Sequence, residues 1–319
     1  MKLLKPPRLK KGDAIGIVAP SFPVLQLQTQ YSAGIENLMK QGFRVKEGET
    51  VKLAHRGYMA GTDVQRARDI NVMFADEEVD AIMCAIGGSV AIRTLRHLDF
   101  ESIRENPKIF CGMSDITTFH AAFLSKTGLS GLHQTDVIFG FGADMGSAEA
   151  KYEVNLFLRV TEIAEPLGPL PALTPWETWR EGAAEGRLFG GNLPSLQALL
   201  ATPYFPKLDE DIIFFWECMA RPIDNIDHML VHFREAGVFD KTRGMMIGKI
   251  RGEEAGALKD MTSEVKEVAL DVTEEFDFPI IGGMDFGHYT PNLPLPMWMK
   301  ASMYSEGGAK VSIDEPYVR

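Results

Sequence analysis

This chain is poor in the features that mark a stapled, membrane-spanning or nucleic-acid-binding protein. Its 319 residues hold three cysteines, Cys84, Cys111 and Cys218, each inside an apolar run and far from the others, and no CxxC pair. That spacing offers neither a disulfide framework nor a zinc site, so buried thiols in a reducing compartment are expected. No stretch approaches the ~20 apolar residues of a membrane helix. The opening MKLLKPPRLKKGD sets charges and prolines where a secretory leader needs an unbroken apolar segment, so the expected location is cytoplasmic. Basic residues are short as well: 33 Lys and Arg against 44 Asp and Glu leave a net charge of -11, which argues against nucleic acid or an anionic membrane as partner. A small molecule or peptide fits better. GxGxxG is missing, and Gly87-Gly88-Ser89 alone does not make a dinucleotide loop, so no cofactor is expected. His228 and His232 stand four apart, as zinc ligands do, but Met229 takes the place of the Glu in HExxH. The pair reads as a solvated helix face, and no metal site is expected.

What is present is an alternation of short apolar runs with helical patterns. Ala14–Ala19 reads as a buried strand, followed by a helix with Tyr31, Ile35, Leu38 and Met39 on one face and by a strand over 43–46. Thr62 reads as the cap of a helix carrying Val64, Ala67, Ile70 and Phe74 at helical spacing. A strand over 79–86 runs into Gly87-Gly88, a helix is expected over 90–98, and another strand reaches Gly112. Such alternation is the signature of a parallel sheet covered on both faces, whose sites gather at the carboxyl ends of the strands. Between 162 and 186 the pattern dissolves into prolines and two tryptophans, Trp176 and Trp179. This stretch is expected to separate an N-terminal domain, 1–165, from a C-terminal one, 166–319. The second half carries Gly190-Gly191-Asn192, the apolar strand Ile212–Trp216 ending in Glu217, and an amphipathic helix with Ile223, Ile226, Leu230 and Phe233 inward. A strand over 245–250 and an acidic helix over 264–276 follow, then a loop reaching His288 and a hairpin turning at Gly307-Gly308.

The stretch KIFCGMSDITTFH, residues 108–120, organises the chemistry. A buried strand that turns sharply into a helix puts the turn residue, Ser114, under backbone strain and aims its side chain outward, beside free N–H groups at the helix start where an oxyanion could develop. A helix cap explains Ser114 and Asp115 without any chemistry, and better on the local sequence alone, because a nucleophile elbow calls for a small residue where Ile116 stands. A serine nucleophile also needs a base and a carboxylate to orient it. His288 follows Gly287 in a loop at the end of an apolar strand. Glu217 closes five apolar residues, where a charge is costly unless it is partnered.

Taken in order, several motifs resemble the LD-carboxypeptidase family of serine peptidases, which includes muramoyltetrapeptide carboxypeptidases and microcin C immunity hydrolases. They are GDAIGIVAPS, GYMAGTD, AIGG ending at Gly88, GMSDIT around Ser114, GRLFGGNL, FFWE ending at Glu217, DFGH ending at His288 and NLPLP. The resemblance implies Ser114 as nucleophile, His288 as general base and Glu217 as its orienting carboxylate, with an oxyanion hole from the N–H groups of Gly88 and Asp115. It implies an N-terminal parallel α/β domain, a C-terminal α/β domain with barrel-like β structure, a site at their interface, and a homodimer. The chemistry implied is removal of a terminal D-amino acid from a murein tetrapeptide through an acyl-enzyme, with hydrolysis of a peptidyl- or aminoacyl-nucleotide amide as the alternative. A non-catalytic ligand-binding protein on the same frame is the reading from a different class. Substrate contacts are expected from Asn192, from Arg221 or Arg187 to a carboxylate, and from Trp176 and Trp179, which otherwise serve as linker anchors. The segments Ser89-Val90-Ala91 and Gly131–Thr135 depart from the family pattern and bear on substrate choice.

Overall fold

The protein is described here from a computed structural model covering residues 2–219, 221–254, 257–289 and 291–319. The first half lays down β1 (Ala14–Val18), α1 (Gln28–Lys40), β2 (Arg44–Glu47), α2 (Asp63–Ala75), β3 (Ala81–Cys84), α3 (Phe100–Glu105), β4 (Ile109–Gly112), α4 (Thr117–Thr127), β5 (Leu132–His133) and α5 (Ala148–Glu162). Strands β2-β1-β3-β4-β5 pair in parallel in that order. The inner strands are buried throughout, as their unbroken apolar runs require of a sheet covered on both sides. Thr62 caps α2 in a reciprocal capping box with Gln65. In α1 and α2 the expected faces hold for Tyr31, Leu38, Ala67, Ile70 and Phe74, whereas Met39 and Val64 point to solvent.

The helix expected over 90–98 is instead two short 3₁₀ turns, Ala91–Arg93 and Leu95–His97. The backbone closes on carbonyls three residues back, Arg93 on Val90, Thr94 on Ala91, His97 on Thr94 and Leu98 on Leu95, the tighter 3₁₀ pattern. The N–H groups of Ser89 and Val90 bond the Ser21 hydroxyl and that of Ala91 bonds the Asp115 carboxylate, which fixes the segment against its neighbours.

The second half contributes β6 (Gly168–Pro169), β7 (Glu177–Arg180), β8 (Ala183–Asn192), α6 (Leu193–Gln197), β9 (Ile212–Glu217), α7 (Ile223–Glu235), β10 (Thr242–Gly248), β11 (Arg251–Glu254), β12 (Ala257–Asp260), α8 (Thr262–Val272), β13 (Ile280–Met284), β14 (Leu295–Pro296), β15 (Lys300–Tyr304) and β16 (Lys310–Ile313). Eight of these strands form a mixed sheet in the order β6-β16-β15-β8-β9-β10-β13-β7, parallel in the middle from β8 to β13 and antiparallel at the margins. The proline-rich stretch after α5 supplies its two edge strands, where a missing N–H costs no ladder bond. β15 and β16 form the expected hairpin.

Three connections lace the halves together. The short strand β14 pairs antiparallel with β5, completing the first sheet with residues from the second half. Tyr317 and Val318 are buried in the first half's apolar core. A second apolar cluster runs without interruption from Phe110, Phe119 and Phe123 to Phe189, Phe214 and Phe215. Cys84, Cys111 and Cys218 are free thiols, all buried. Among the described residues no helix is long and apolar enough to cross a membrane.

Candidate active site

Strand β4 ends at Gly112, and the chain reverses through Ser114 into α4. Ser114 sits at φ 60°, in the left-handed region that costs a residue with a Cβ of order 1–3 kcal/mol and persists only where the surroundings enforce it. Its hydroxyl caps no helix: the cap position belongs to Met113, with no side-chain cap bond. The Ser114 Oγ instead lies 2.9 Å from His288 Nε2. The elbow also forces a close pass. A Cβ on Gly87 would stand 2.7 Å from the Ser114 Cβ, so only a bare backbone fits beside the serine.

His288 is presented by the loop after β13. Gly287 adopts φ +115°, and a Cβ there would come within 3.0 Å of the Glu217 side chain. Its N–H donates to Asn292 Oδ1 at 2.7 Å, which anchors the loop. His288 Nδ1 is 2.5 Å from Glu217 Oε2. A carboxylate only accepts, so Nδ1 carries the proton and Nε2 offers its lone pair to the Ser114 O–H. Glu217, at the end of β9, is fully buried, and its other oxygen accepts from Asn192 Nδ2 at 3.0 Å. Asn192 is thus second in line behind the imidazole, and it also caps α6.

The electrostatics follow from these partners. Burial opposes a charged His288, but the adjoining Glu217 carboxylate outweighs it and leaves the imidazole pKa above its ordinary value. Burial likewise pushes Glu217 up, yet His288, His133 and Asn192 together hold it below the usual carboxylate range. Asp115 is buried and its pKa is raised by desolvation, against the pull of hydrogen bonds from Ser21, Ala91 and Thr118.

Two adjoining cavities meet at Ser114, Gly88, Met219 and His288. The larger, about 500 Å³, has apolar walls from Phe22, Leu27, Ile86, Met113 and Phe139, with Asp136, Asn292 and Tyr289 among them. The smaller, about 240 Å³, is lined by Asn192, Pro194 and Arg221. Sequence reasoning passed over Asp136, whose pKa burial pushes up to about 7. The clue available was an acid standing directly before an apolar run, Val137-Ile138-Phe139. Glu153, buried behind it, is pushed up to about 8.

Other expected contacts lie elsewhere. Trp176 donates its indole N–H to Asp285 at 3.0 Å and faces a groove on the second sheet. Trp179 is buried against Gly282, with its N–H on Glu177. Neither indole lines the two cavities at Ser114. Arg187 pairs with Glu210 and Glu315, away from the serine. His228 and His232 are exposed on α7, and among the described residues no group of three potential metal ligands occurs.

Comparison with known proteins places this arrangement in context. The profile of the LD-carboxypeptidase N-terminal domain matches residues 15–134, and that of the LD-carboxypeptidase C-terminal domain matches residues 185–303. A probable murein peptide carboxypeptidase of Bacillus subtilis is 32% identical over 301 residues, covering 94% of this chain and 91% of the relative. The microcin C7 self-immunity protein MccF of Escherichia coli is 27% identical over 335 residues, 97% of this chain and 95% of the relative. A solved structure of MccF in complex with aspartyl sulfamoyl adenosine superposes with a TM-score of 0.90 at 26% identity, covering 99% of this chain and 100% of that one.

Proposed function

This chain belongs to the LD-carboxypeptidase family of serine peptidases, and from that premise we propose that it hydrolyses the bond before a terminal residue through an acyl-enzyme on Ser114. The observation that carries the reading is the hydrogen-bonded chain from the strained Ser114 through His288 to Glu217, drawn from both halves of the sequence. His288 Nε2 takes the Ser114 proton as Oγ attacks the carbonyl carbon, and the buried Glu217 carboxylate steadies the imidazolium that forms. The N–H of Gly88, which has no acceptor among the described residues, and that of Asp115, in the first turn after the elbow, serve the developing oxyanion. When the C–N bond breaks, His288 returns the proton to the leaving amine. Water then attacks the acyl carbonyl carbon as His288 Nε2 takes one of its protons, and His288 passes that proton to Ser114 Oγ as the ester C–O bond breaks, releasing the acid and restoring the free serine.

The substrate we propose is a cytoplasmic murein tetrapeptide, cut before its terminal D-amino acid. We assign the small cavity to a short leaving residue and the larger apolar cavity to the acyl side; Arg221 in the lining of the small cavity supports a role in binding the free carboxylate. A second reading, hydrolysis of an aminoacyl- or peptidyl-nucleotide amide, draws on the likeness to MccF, solved with an aminoacyl sulfamoyl adenosine. Mass spectrometry of products from a murein tetrapeptide and from a peptidyl-adenylate analogue separates the two. Ser114→Ala tests the shared mechanism: turnover should fall by on the order of 10⁴ or more with binding intact, and a variant that still turns over at the wild-type rate would remove Ser114 from its role.

A further inference from the structure

The residue directly after the proposed nucleophile is tied to a different part of the chain from the one its position suggests. An acid in the first turn of a helix ordinarily faces solvent or its own N–H groups. Asp115 is buried and faces residues 94 and 24 positions away: its Oδ2 accepts the Ser21 hydroxyl at 2.6 Å and the Ala91 N–H at 2.8 Å. The Ser21 oxygen in turn accepts the N–H groups of Ser89 at 3.1 Å and Val90 at 3.2 Å. One donation and two acceptances fill the hydroxyl's capacity. The run also passes in contact with it, because a Cβ on Gly88 would lie 2.3 Å from the Ser21 Oγ. On the other side the Phe22 N–H donates to the Gly87 carbonyl at 2.9 Å. Residues 87, 89, 90 and 91 are therefore all held, while the Gly88 N–H between them is left without an acceptor among the described residues.

We propose that the Asp115 side chain and the Ser21 hydroxyl are positioning residues, fixing the Gly88 N–H relative to Ser114 so that nucleophile and oxyanion donor keep one geometry. The inference rests on the reading of Ser114 as nucleophile and Gly88 as oxyanion donor. Preorganised donors stabilise a transition state only if they need not be rearranged during reaction, and here the carboxylate on the elbow is the anchor of the loop that carries the donor. Loss of either anchor frees the loop without touching the Ser114–His288 contact.

A small fluorophosphonate tests this without knowledge of the natural substrate. Ser114 Oγ bonds to phosphorus as the P–F bond breaks, the serine proton goes to His288, fluoride leaves, and the phosphoryl oxygen occupies the oxyanion position. The second-order labelling rate is measured against pH, per folded molecule, for the wild-type protein, Ser21→Ala, Asp115→Ala and Asp115→Asn, with Ser114→Ala as blank. Removal of one oxyanion donor outright costs roughly 10²–10³-fold, so displacement of one should lower the plateau rate of Ser21→Ala and Asp115→Ala by about 10–100-fold. The pH midpoint set by His288 should not move. Asp115→Asn keeps an acceptor oxygen for Ser21 and Ala91 and should recover to within a few-fold of wild type. A Ser21→Ala protein labelled as fast as wild type, or one whose loss comes with a shifted pH midpoint, would overturn the proposal while leaving the nucleophile standing. A wild-type protein left unlabelled at Ser114 would overturn both. Where Asp115→Ala does not fold, Ser21→Ala decides.

Discussion

Two histidines flank the same buried glutamate and are driven in opposite directions. His288 bonds Glu217 directly through Nδ1, and its pKa is raised above 6.5. His133, at the end of β5, is buried against the Phe215 ring at 5.4 Å with neither ring nitrogen hydrogen-bonded among the described residues. Desolvation lowers its pKa to about 4, although Glu217 pulls the other way. Burial is common to both, so it does not make a base. The direct contact with a carboxylate outweighs desolvation at one ring, and the same charge acting without a hydrogen bond fails to do so at the other.

Removal of the partner is the strongest way to break the contrast. Glu217→Gln should cost roughly 10⁴-fold in kcat, because the imidazole loses the group that fixes its tautomer. It should also move the acid limb of kcat/KM below 6.5, toward the behaviour of His133, and a limb that stays in place would show that Glu217 does not set the pKa of His288. In the intact protein the base must be neutral to accept the Ser114 proton. Its pKa is raised, so activity should be lost as pH falls through a midpoint above 6.5. Proton-coupled NMR shifts of the two imidazoles should sharpen this, with His133 remaining neutral across the range in which His288 titrates. The smallest effect is expected at the orphaned ring. His133→Phe exchanges buried, unbonded nitrogens for an apolar ring of similar shape, so stability by denaturant unfolding should change by no more than about 1 kcal/mol and kcat/KM by a few-fold. A large loss of activity there would make His133 part of the machinery.

These contrasts also explain what could be read from the amino-acid order. The three residues of the proposed triad each interrupt a local pattern: Ser114 at a strand-to-helix reversal, Glu217 as a charge closing an apolar strand, His288 after a glycine in a loop. Such breaks are visible because the cost of strain or of a buried charge is local. The parallel sheet was legible for a similar reason, since covered strands are apolar on both sides. The short turns over 90–98 were not, because what holds their first residues, the Ser21 hydroxyl and a carboxylate 24 residues away, is distant in sequence. β14 spans two residues and pairs across the halves, too short for any periodicity to show. Asp136 and Glu153 are unremarkable in sequence and become notable only when tertiary burial shifts them toward neutrality. For the two tryptophans the amino-acid order leaves substrate contact and linker anchor equally open, because aromatic residues in a proline-rich stretch carry no sign of which side of a sheet they will cover.

The lacing of the halves has a consequence for how the protein is made. Ser114 leaves the ribosome 174 residues before His288, and the core around it still lacks Tyr317 and Val318. A growing chain that carries the serine thus holds neither its base nor a finished interior. On the proposed mechanism, hydrolytic competence therefore waits for the second half to be made, His288 and the residues that close the core included.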